Sequence, residues 1–291
     1  MNGELEGRVA LVAGAGRGIG RAVAHLYAEA GARLVLASRT QADLDRVAAE
    51  CLGRGAPAAR GVTADVADWR AVSRLVAEAV AGEGRIDVLV ISSGIYGPIA
   101  PIADVDVEAW ARALQVNLAG PFYLLRAVLP LMRAQRAGRV ILLGGGGATQ
   151  PMAGFSAYAA AKAGLVRLAE TAADEARDAG VQVNVIAPGL VDTGLQDAVI
   201  EAGRTAGAIG ERIRLARETG QGAVGPELAA ALALFLASDA SAGLTGKLIS
   251  APYDPWREWT GDRAHALSAS DWFTLRRLDP HTIGRLPGDL A

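Results

Sequence analysis

VALVAGAGRGIGRAVAHLYAEAGARLVLAS, residues 9–38, begins with a continuous apolar run and passes through Gly14, Gly18 and Gly20. It continues as an Ala-rich stretch to about Ala30 and closes on a second apolar run, ARLVLAS. Apolar runs without alternation predict strands buried on both faces, and two such strands joined by a helix are parallel, because parallel pairing requires a crossover. Glycine permits a tight turn and close backbone approach where strand becomes helix, and the first helical amides are unpaired and partially positive. That turn predicts a pyrophosphate cradle, with a tight turn that serves packing alone as the alternative. The second strand ends at Ser38, followed by Arg39, where an NAD site offers an acidic side chain to the ribose 2′-hydroxyl. Ser38 repels no phosphate, and Arg17 and Arg39 can reach one, so NADP(H) is expected in preference to NAD(H). The alternative is two ordinary solvated charges in an arginine-rich chain.

The same rhythm runs outward from this stretch. Strands are predicted near 58–63 and at DVLVIS (87–92), RVILLG (139–144), VQVNVIAPG (181–189) and KLIS (247–250). Helices are predicted after the second strand through Ala49 and near 68–81 and 155–179, with two more between 106 and 135. The expectation is an α/β fold, a doubly wound Rossmann-type parallel sheet of about seven strands with helices on both faces. Residues 1–250 read as one domain, within which the Gly-, Arg- and Glu-rich segment 192–225 follows a strand end and reads as a substrate lid. Residues 251–291 hold three of the five tryptophans and read as an extension packed on the core or on a neighbouring subunit.

Composition narrows the function. The 291 residues are 51% apolar with a formal charge of −2, which gives no electrostatic reason to expect nucleic acid or a membrane as partner. No apolar run reaches the length of a membrane span, and MNGELEGRVALVAG lacks a secretory signal, so a cytoplasmic protein is expected. Cys51 is the only cysteine and the chain has three histidines, so neither a disulfide nor a metal site is expected. Among 29 basic residues only Lys162 and Lys247 are lysine. Where arginine serves for charge, a retained lysine calls for a chemical reason.

Lys162 has one. Tyr158 and Lys162 stand at i and i+4, on one face of a predicted helix. An unperturbed phenol is a poor acid–base group at neutral pH, and a nearby ammonium favours its ionised form. Asp65, after the third strand, can reach an adenine amino group or cap the following helix, for which Asp68 is better placed.

With these residues in view the chain resembles the short-chain dehydrogenases/reductases. AGAGRGIG, ADV with Asp65, VNLAGPFY with Asn117, YAAAK with Tyr158 and Lys162, and APGLVDT (187–193) occur in that family's order over roughly residues 5–250. The resemblance implies hydride transfer between NAD(P) and a carbonyl or alcohol on a small-molecule substrate. It further implies that Tyr158 exchanges the proton, that Lys162 binds the nicotinamide ribose and lowers the tyrosine pKa, and that Asn117 supports a relay water. Cofactor contacts are implied for Gly14, Arg17, Gly18, Ile19 and Gly20, for Ser38 and Arg39, and for Asp65, Val66, Ser93 and Gly94. Tyr158, Lys162, Pro188, Gly189, Val191 and Thr193 complete that set. Family members associate through the helices carrying Asn117 and Tyr158, which implies a homodimer or homotetramer.

Three departures matter. The family's N-N-A-G reads ISSG (91–94), and its C-terminal V-D-G-G is replaced by TGKLISAPYDPWREW. The position 13 residues before the tyrosine, where the family carries its catalytic serine, is Gly145, within four consecutive glycines, Gly144 to Gly147. Either the glycine amides form an oxygen-binding nest, or Ser156 or Thr149 supplies the hydroxyl, or nothing does. The glycines are also expected to leave room for a bulky or highly oxygenated substrate. Arg257, Arg263, Arg276 and Arg277 either read an anionic substrate group or form a polar rim around the tail tryptophans. The favoured reading is an NADP-preferring oxidoreductase interconverting a secondary alcohol and a ketone, on a sugar-like or polyoxygenated substrate. The other reading is a non-catalytic NADP-binding relative that recognises a metabolite or partner.

Overall fold

In a computed structural model, residues 3–220 and 222–277 are described. Seven parallel strands, β1 (Val9–Ala13), β2 (Arg33–Ser38), β3 (Ala59–Thr63), β4 (Val88–Ile91), β5 (Gly138–Leu143), β6 (Val181–Ala187) and β7 (Leu248–Ser250), form one sheet in the order β3-β2-β1-β4-β5-β6-β7. The seven-stranded doubly wound fold expected from the sequence is therefore the fold observed. Connections run outward in one direction from β1 to β3 and in the other from β4 to β7, so the order reverses between β1 and β4. In open α/β sheets that reversal opens a crevice beyond the strands' carboxyl ends.

The apolar runs lack alternation because both faces are covered. Ala10 and Val12 of β1 enter the core under α1 (Gly18–Glu29), α2 (Gln41–Gly53) and the later α9 (Pro226–Ala237), while Leu11 and Ala13 enter the opposite core. That second core lies under α3 (Trp69–Glu83), α5 (Gly120–Gln135) and α6 (Ser156–Ala176). Asp68 caps α3, its carboxylate accepting from the Arg70 amide at 2.8 Å, as its position suggested. The two helices expected between 106 and 135 are α4 (Val107–Leu114) and α5, joined by a π-helical segment at Gln115–Ala119 that contains Asn117. Such a bulge re-aims side chains within an otherwise regular helix and recurs at functional sites.

The segment after β6 holds α7 (Asp197–Ala202) and α8 (Gly207–Thr219). Its neck is closed by a bridge between Val191 and Val224, with the Val224 amide donating to Leu190 O at 2.8 Å. Arg217 on α8 donates to Asp192 at 2.7 Å and to Asp197 at 2.8 Å, tying the segment to its own base.

Beyond β7 the chain passes through α10 (Asp262–Ser268) and packs on the core. Trp256 and Trp259 are buried among the residues under α1 and α9, and the Trp256 indole donates to Ala251 O at 3.1 Å. The Leu248 amide donates to Phe273 O at 2.7 Å, so the tail covers the outer edge of β7. Lys247, the second retained lysine, buries its ammonium against Ser270 O at 2.7 Å and Trp272 O at 3.0 Å. The tail arginines follow the polar-rim alternative: Arg257 lies over the Trp256 ring at 4.0 Å, Arg263 pairs with Glu258 at 3.1 Å and Arg276 with Asp271 at 3.0 Å. The remainder of the expected extension, 278–291, lies outside the described residues.

Candidate active site

The crevice at the β1/β4 reversal is a cleft of about 870 Å³, within the range that holds a small-molecule cofactor and substrate. Of the residues the sequence nominated for cofactor contact, all but Gly20 line it: Gly14, Arg17, Gly18 and Ile19 at the first turn, Ser38 and Arg39 after β2, Asp65 and Val66 after β3, Ser93 and Gly94 after β4, and Pro188, Gly189, Val191 and Thr193 after β6. Tyr158 and Lys162 line it from α6.

The glycine turn shows why side chains are absent from it. A Cβ on Gly20 would stand 2.1 Å from Gly14 O, and one on Gly14, whose φ is +89°, would stand 2.6 Å from the Ser93 amide nitrogen. The α1 N-terminus has no side-chain cap and no acidic residue in its first turn. Bare amides opening onto the cleft at a helix start are the donor set a dinucleotide pyrophosphate requires, so these residues fit such a cofactor. Asp65 accepts from the Ala67 amide at 3.0 Å and pairs with Arg112; burial opposes ionisation, but these partners hold the carboxyl below its usual range.

At the reacting end Tyr158 and Lys162 are one turn apart and both buried. The ammonium donates to Leu143 O at 2.7 Å and sits 5.6 Å from the centre of the Tyr158 ring. In this state burial governs both groups. It raises the Tyr158 phenol above its ordinary value, helped by neighbouring Tyr96, and lowers the lysine to about 8. In the cofactor-free protein desolvation and Tyr96 thus hold the phenol above its ordinary range, while the Lys162 ammonium is engaged on the Leu143 carbonyl.

Asn117 is fully buried and does not line the cleft. Its side chain accepts from the Ile95 amide at 3.1 Å and donates to Ile95 O at 2.7 Å and Ala113 O at 3.0 Å. It thereby staples the loop after β4, which carries Ser93 and Gly94, to the π-helical segment.

Gly145 is explained by steric occupation. A Cβ there would stand 2.2 Å from Tyr158 Oη and 3.0 Å from its Cζ, so the phenol fills the space a side chain would take. Neighbouring glycines are also close-packed: a Cβ on Gly144 would stand 2.9 Å from Val185 Cγ1 and one on Gly147 2.7 Å from Ala159 Cα, and only Gly146 faces open space. The expected room for a bulky substrate therefore exists at Gly146 alone. None of the four glycines adopts the left-handed backbone that a nest alternates with, and Gly145 is extended at φ 171°, so the nest is not formed. Ser156 does not line the cleft; its hydroxyl accepts from the Trp110 indole at 3.1 Å. Thr149 does line it, at the exposed rim.

The sequence did not nominate Tyr96, Gln196, Arg212, Tyr253 or Asp254, which also line the cleft. Tyr96, Gln196, Tyr253 and Asp254 sit in loops just beyond the family motifs and Arg212 on α8, where neither periodicity nor spacing marks them. Nearness to Gly94, to Thr193 and to β7, and for Gln196 and Arg212 their place in the expected lid segment 192–225, were the signals available.

Burial of Lys162 carries a measurable cost. Its shift from 10.5 to about 8 corresponds to about 3 kcal/mol against the folded state. Lys162→Met is expected to raise the unfolding free energy of the cofactor-free protein at pH 7 in urea titrations, by less than that amount because the bond to Leu143 O is lost with the ammonium. Below pH 8 both folded and unfolded lysines are charged and the cost is full. Between about 8 and 10.5 the folded lysine loses its proton first, so the advantage of the variant shrinks as pH rises. A variant that is no more stable than the parent contradicts this account of the ammonium.

A family model described as short chain dehydrogenase matches residues 8–203. D-threitol dehydrogenase of Mycolicibacterium smegmatis is 38% identical over 243 residues, covering 83% of this chain and 90% of that protein. Among solved structures, an NAD+-bound xylitol dehydrogenase superposes with a TM-score of 0.77 at 28% identity, covering 84% of this chain and 98% of the other. A variant of actinorhodin polyketide ketoreductase with NADPH superposes with a TM-score of 0.78 at 27% identity, covering 86% and 97% respectively. The chain belongs to the short-chain dehydrogenase family. It is an NAD(P)-dependent oxidoreductase of the class that acts on alcohols and ketones.

Proposed function

We propose that the protein interconverts a secondary alcohol and a ketone on a polyoxygenated, sugar-like substrate, with NADP(H) preferred and Tyr158 as the proton-exchanging group. The observation that carries this reading is the placement of Tyr158 and Lys162 in the same cleft as the glycine turn. When bound, the dinucleotide supplies or accepts the hydride. The chain's own residues hold it through the α1 amides and the Asp65 side, exclude water with buried aromatic side chains, and place the Tyr158 hydroxyl beside the reacting oxygen. Residues 192–225 act as the substrate lid, since they form one wall of the cleft through Thr193, Gln196 and Arg212. A homo-oligomer built on the helices carrying Asn117 and Tyr158, α5 with its π-helical start and α6, is favoured by the exposed apolar side chain of Phe122 on α5. The test is nicotinamide absorbance with NADP+ and NAD+ against D-threitol, xylitol and simple cyclic alcohols; no change with any alcohol or with the matching ketones contradicts the reading.

NADP preference rests on Arg17 and Arg39. Both are exposed, line the cleft and form no ion pair among the described residues, while Ser38 brings no carboxylate. Of the acidic groups close by, Asp43 is paired with Arg46 at 3.0 Å, and Asp65, which feels the Arg39 charge, is paired with Arg112. At ~1.5–3 kcal/mol per hydrogen bond to a charged group, Arg17→Ala combined with Arg39→Ala lowers kcat/KM for NADP+ roughly 100-fold and leaves that for NAD+ within about threefold. Equal losses with both cofactors contradict the assignment.

A further inference from the structure

The second hydrogen bond to the substrate oxygen has no side-chain source at position 145, where Tyr158 Oη itself fills the space. The glycine amides form no nest, and Ser156 is engaged outside the cleft. One buried side chain bearing a hydroxyl remains on the cleft wall with its ring against that of Tyr158. We propose that Tyr96 donates this second hydrogen bond, as a catalytic residue paired with Tyr158 and held in place by Gln196. The proposal rests on the redox reading above.

Tyr96 and Tyr158 line the same cleft with ring centres 4.7 Å apart and planes at 54°, and Phe155 packs on Tyr96 at 5.3 Å. The Tyr96 ring is therefore fixed by aromatic contacts. Its hydroxyl donates to Gln196 Oε1 at 3.1 Å, and Gln196 Nε2 donates to Val191 O at 3.2 Å, which sets the amide with its oxygen toward Tyr96. Both residues are nearly inaccessible, Tyr96 at 7% and Gln196 at 5% exposure, so the pair is part of the wall.

The length of the Tyr96 bond decides what the hydroxyl can do. O–H···O bonds cluster near ~2.7–2.8 Å, so a 3.1 Å bond to a neutral amide is weak. A substrate oxygen acquiring negative charge is a stronger acceptor, since charge-assisted bonds are about twice as strong as neutral ones. The hydroxyl turns from Gln196 to that oxygen as charge develops, and in the resting cleft Gln196 keeps its proton satisfied. Burial raises the Tyr96 phenol above its ordinary pKa, against the smaller opposite effect of Gln196, so it stays a neutral donor at neutral pH. Phenols act as oxyanion donors in this way in apolar sites.

The test compares the parent protein with Tyr96→Phe and Thr149→Val. Two readouts are used: kcat for oxidation of D-threitol, xylitol and cyclohexanol, and the affinity of trifluoroethanol, an alcohol that resists oxidation, for the cofactor-loaded protein. Tyr96→Phe is expected to lower kcat roughly 100-fold and weaken trifluoroethanol binding about tenfold, with cofactor affinity within about twofold. The proposal is overturned if Tyr96→Phe keeps parental trifluoroethanol affinity, if the parent binds no trifluoroethanol, or if the loss appears in Thr149→Val instead. It is also overturned if cofactor affinity falls in parallel, since the role would then be structural. Absence of turnover by the parent with every alcohol defeats the redox reading separately, and trifluoroethanol binding still decides the role of Tyr96.

Discussion

Tyr158→Phe is expected to lower kcat by about 10²–10⁴-fold, the range spanned by loss of a positioned acid–base group, while leaving cofactor affinity close to that of the parent. The substitution removes one oxygen from a ring on α6 that stays packed on Tyr96, which Phe155 in turn backs. Nothing in the glycine turn or around Asp65 touches that oxygen, so binding and chemistry separate. Fluorescence titration with NADPH and stopped-flow absorbance report the two quantities independently. Equal turnover by the Phe variant would mean that a different group moves the proton, and parallel loss of cofactor binding would mean that the ring, not the hydroxyl, matters.

Gly145→Ser is the second large effect, and structure and family resemblance disagree on its sign. By resemblance, serine restores the usual donor. By geometry, its Cβ would lie 2.2 Å from Tyr158 Oη, a contact that must be relieved. The phenol is held by Tyr96 on one side and by the α6 backbone from which it projects, so relief means moving the Tyr158 oxygen or the chain just after β5. Overpacking of this kind costs about 1–3 kcal/mol, and displacing the acid–base oxygen costs a factor of about 100 or more in kcat. Gly145→Ala, which adds the Cβ and no donor, is expected to lose as much. A serine variant faster than the parent, with the alanine variant slow, would show that Tyr158 yields easily and that a hydroxyl at 145 is what the site lacks.

Fold and cofactor end were legible in the sequence for a physical reason. Fully buried parallel strands leave an unmistakable apolar signature, and a strand-to-helix turn this tight must be glycine wherever a Cβ meets backbone, as at Gly14 and Gly20. Tyr158 and Lys162 were legible because a helix places i and i+4 together whatever surrounds it. The ionisation of that pair was not, since it depends on how deeply each group is buried, and spacing says nothing of burial. The glycine run was visible but misjudged. Four glycines in sequence read as flexible or open backbone, whereas three of them are places where another atom already occupies the Cβ position. Tyr96 and Gln196 lie 100 residues apart and meet only through the fold, so no local pattern announced them. The tail arginines were equally ambiguous, because an arginine stacked on Trp256 and one reading a phosphate have the same sequence neighbours.

The claim on which the account depends is that the Tyr158 hydroxyl and the reacting carbon of the substrate share the cleft with a nicotinamide. A single-turnover experiment with carbon-deuterated D-threitol and carbon-deuterated xylitol, at excess enzyme and with NADP+, tests it most directly, with the reduced cofactor analysed for deuterium by mass spectrometry. The account predicts deuterium in the cofactor with the parent protein and about a thousandfold slower labelling with Tyr158→Phe. No label from the parent with either polyol or with deuterated cyclohexanol, or labelling at the same rate in both proteins, would contradict it.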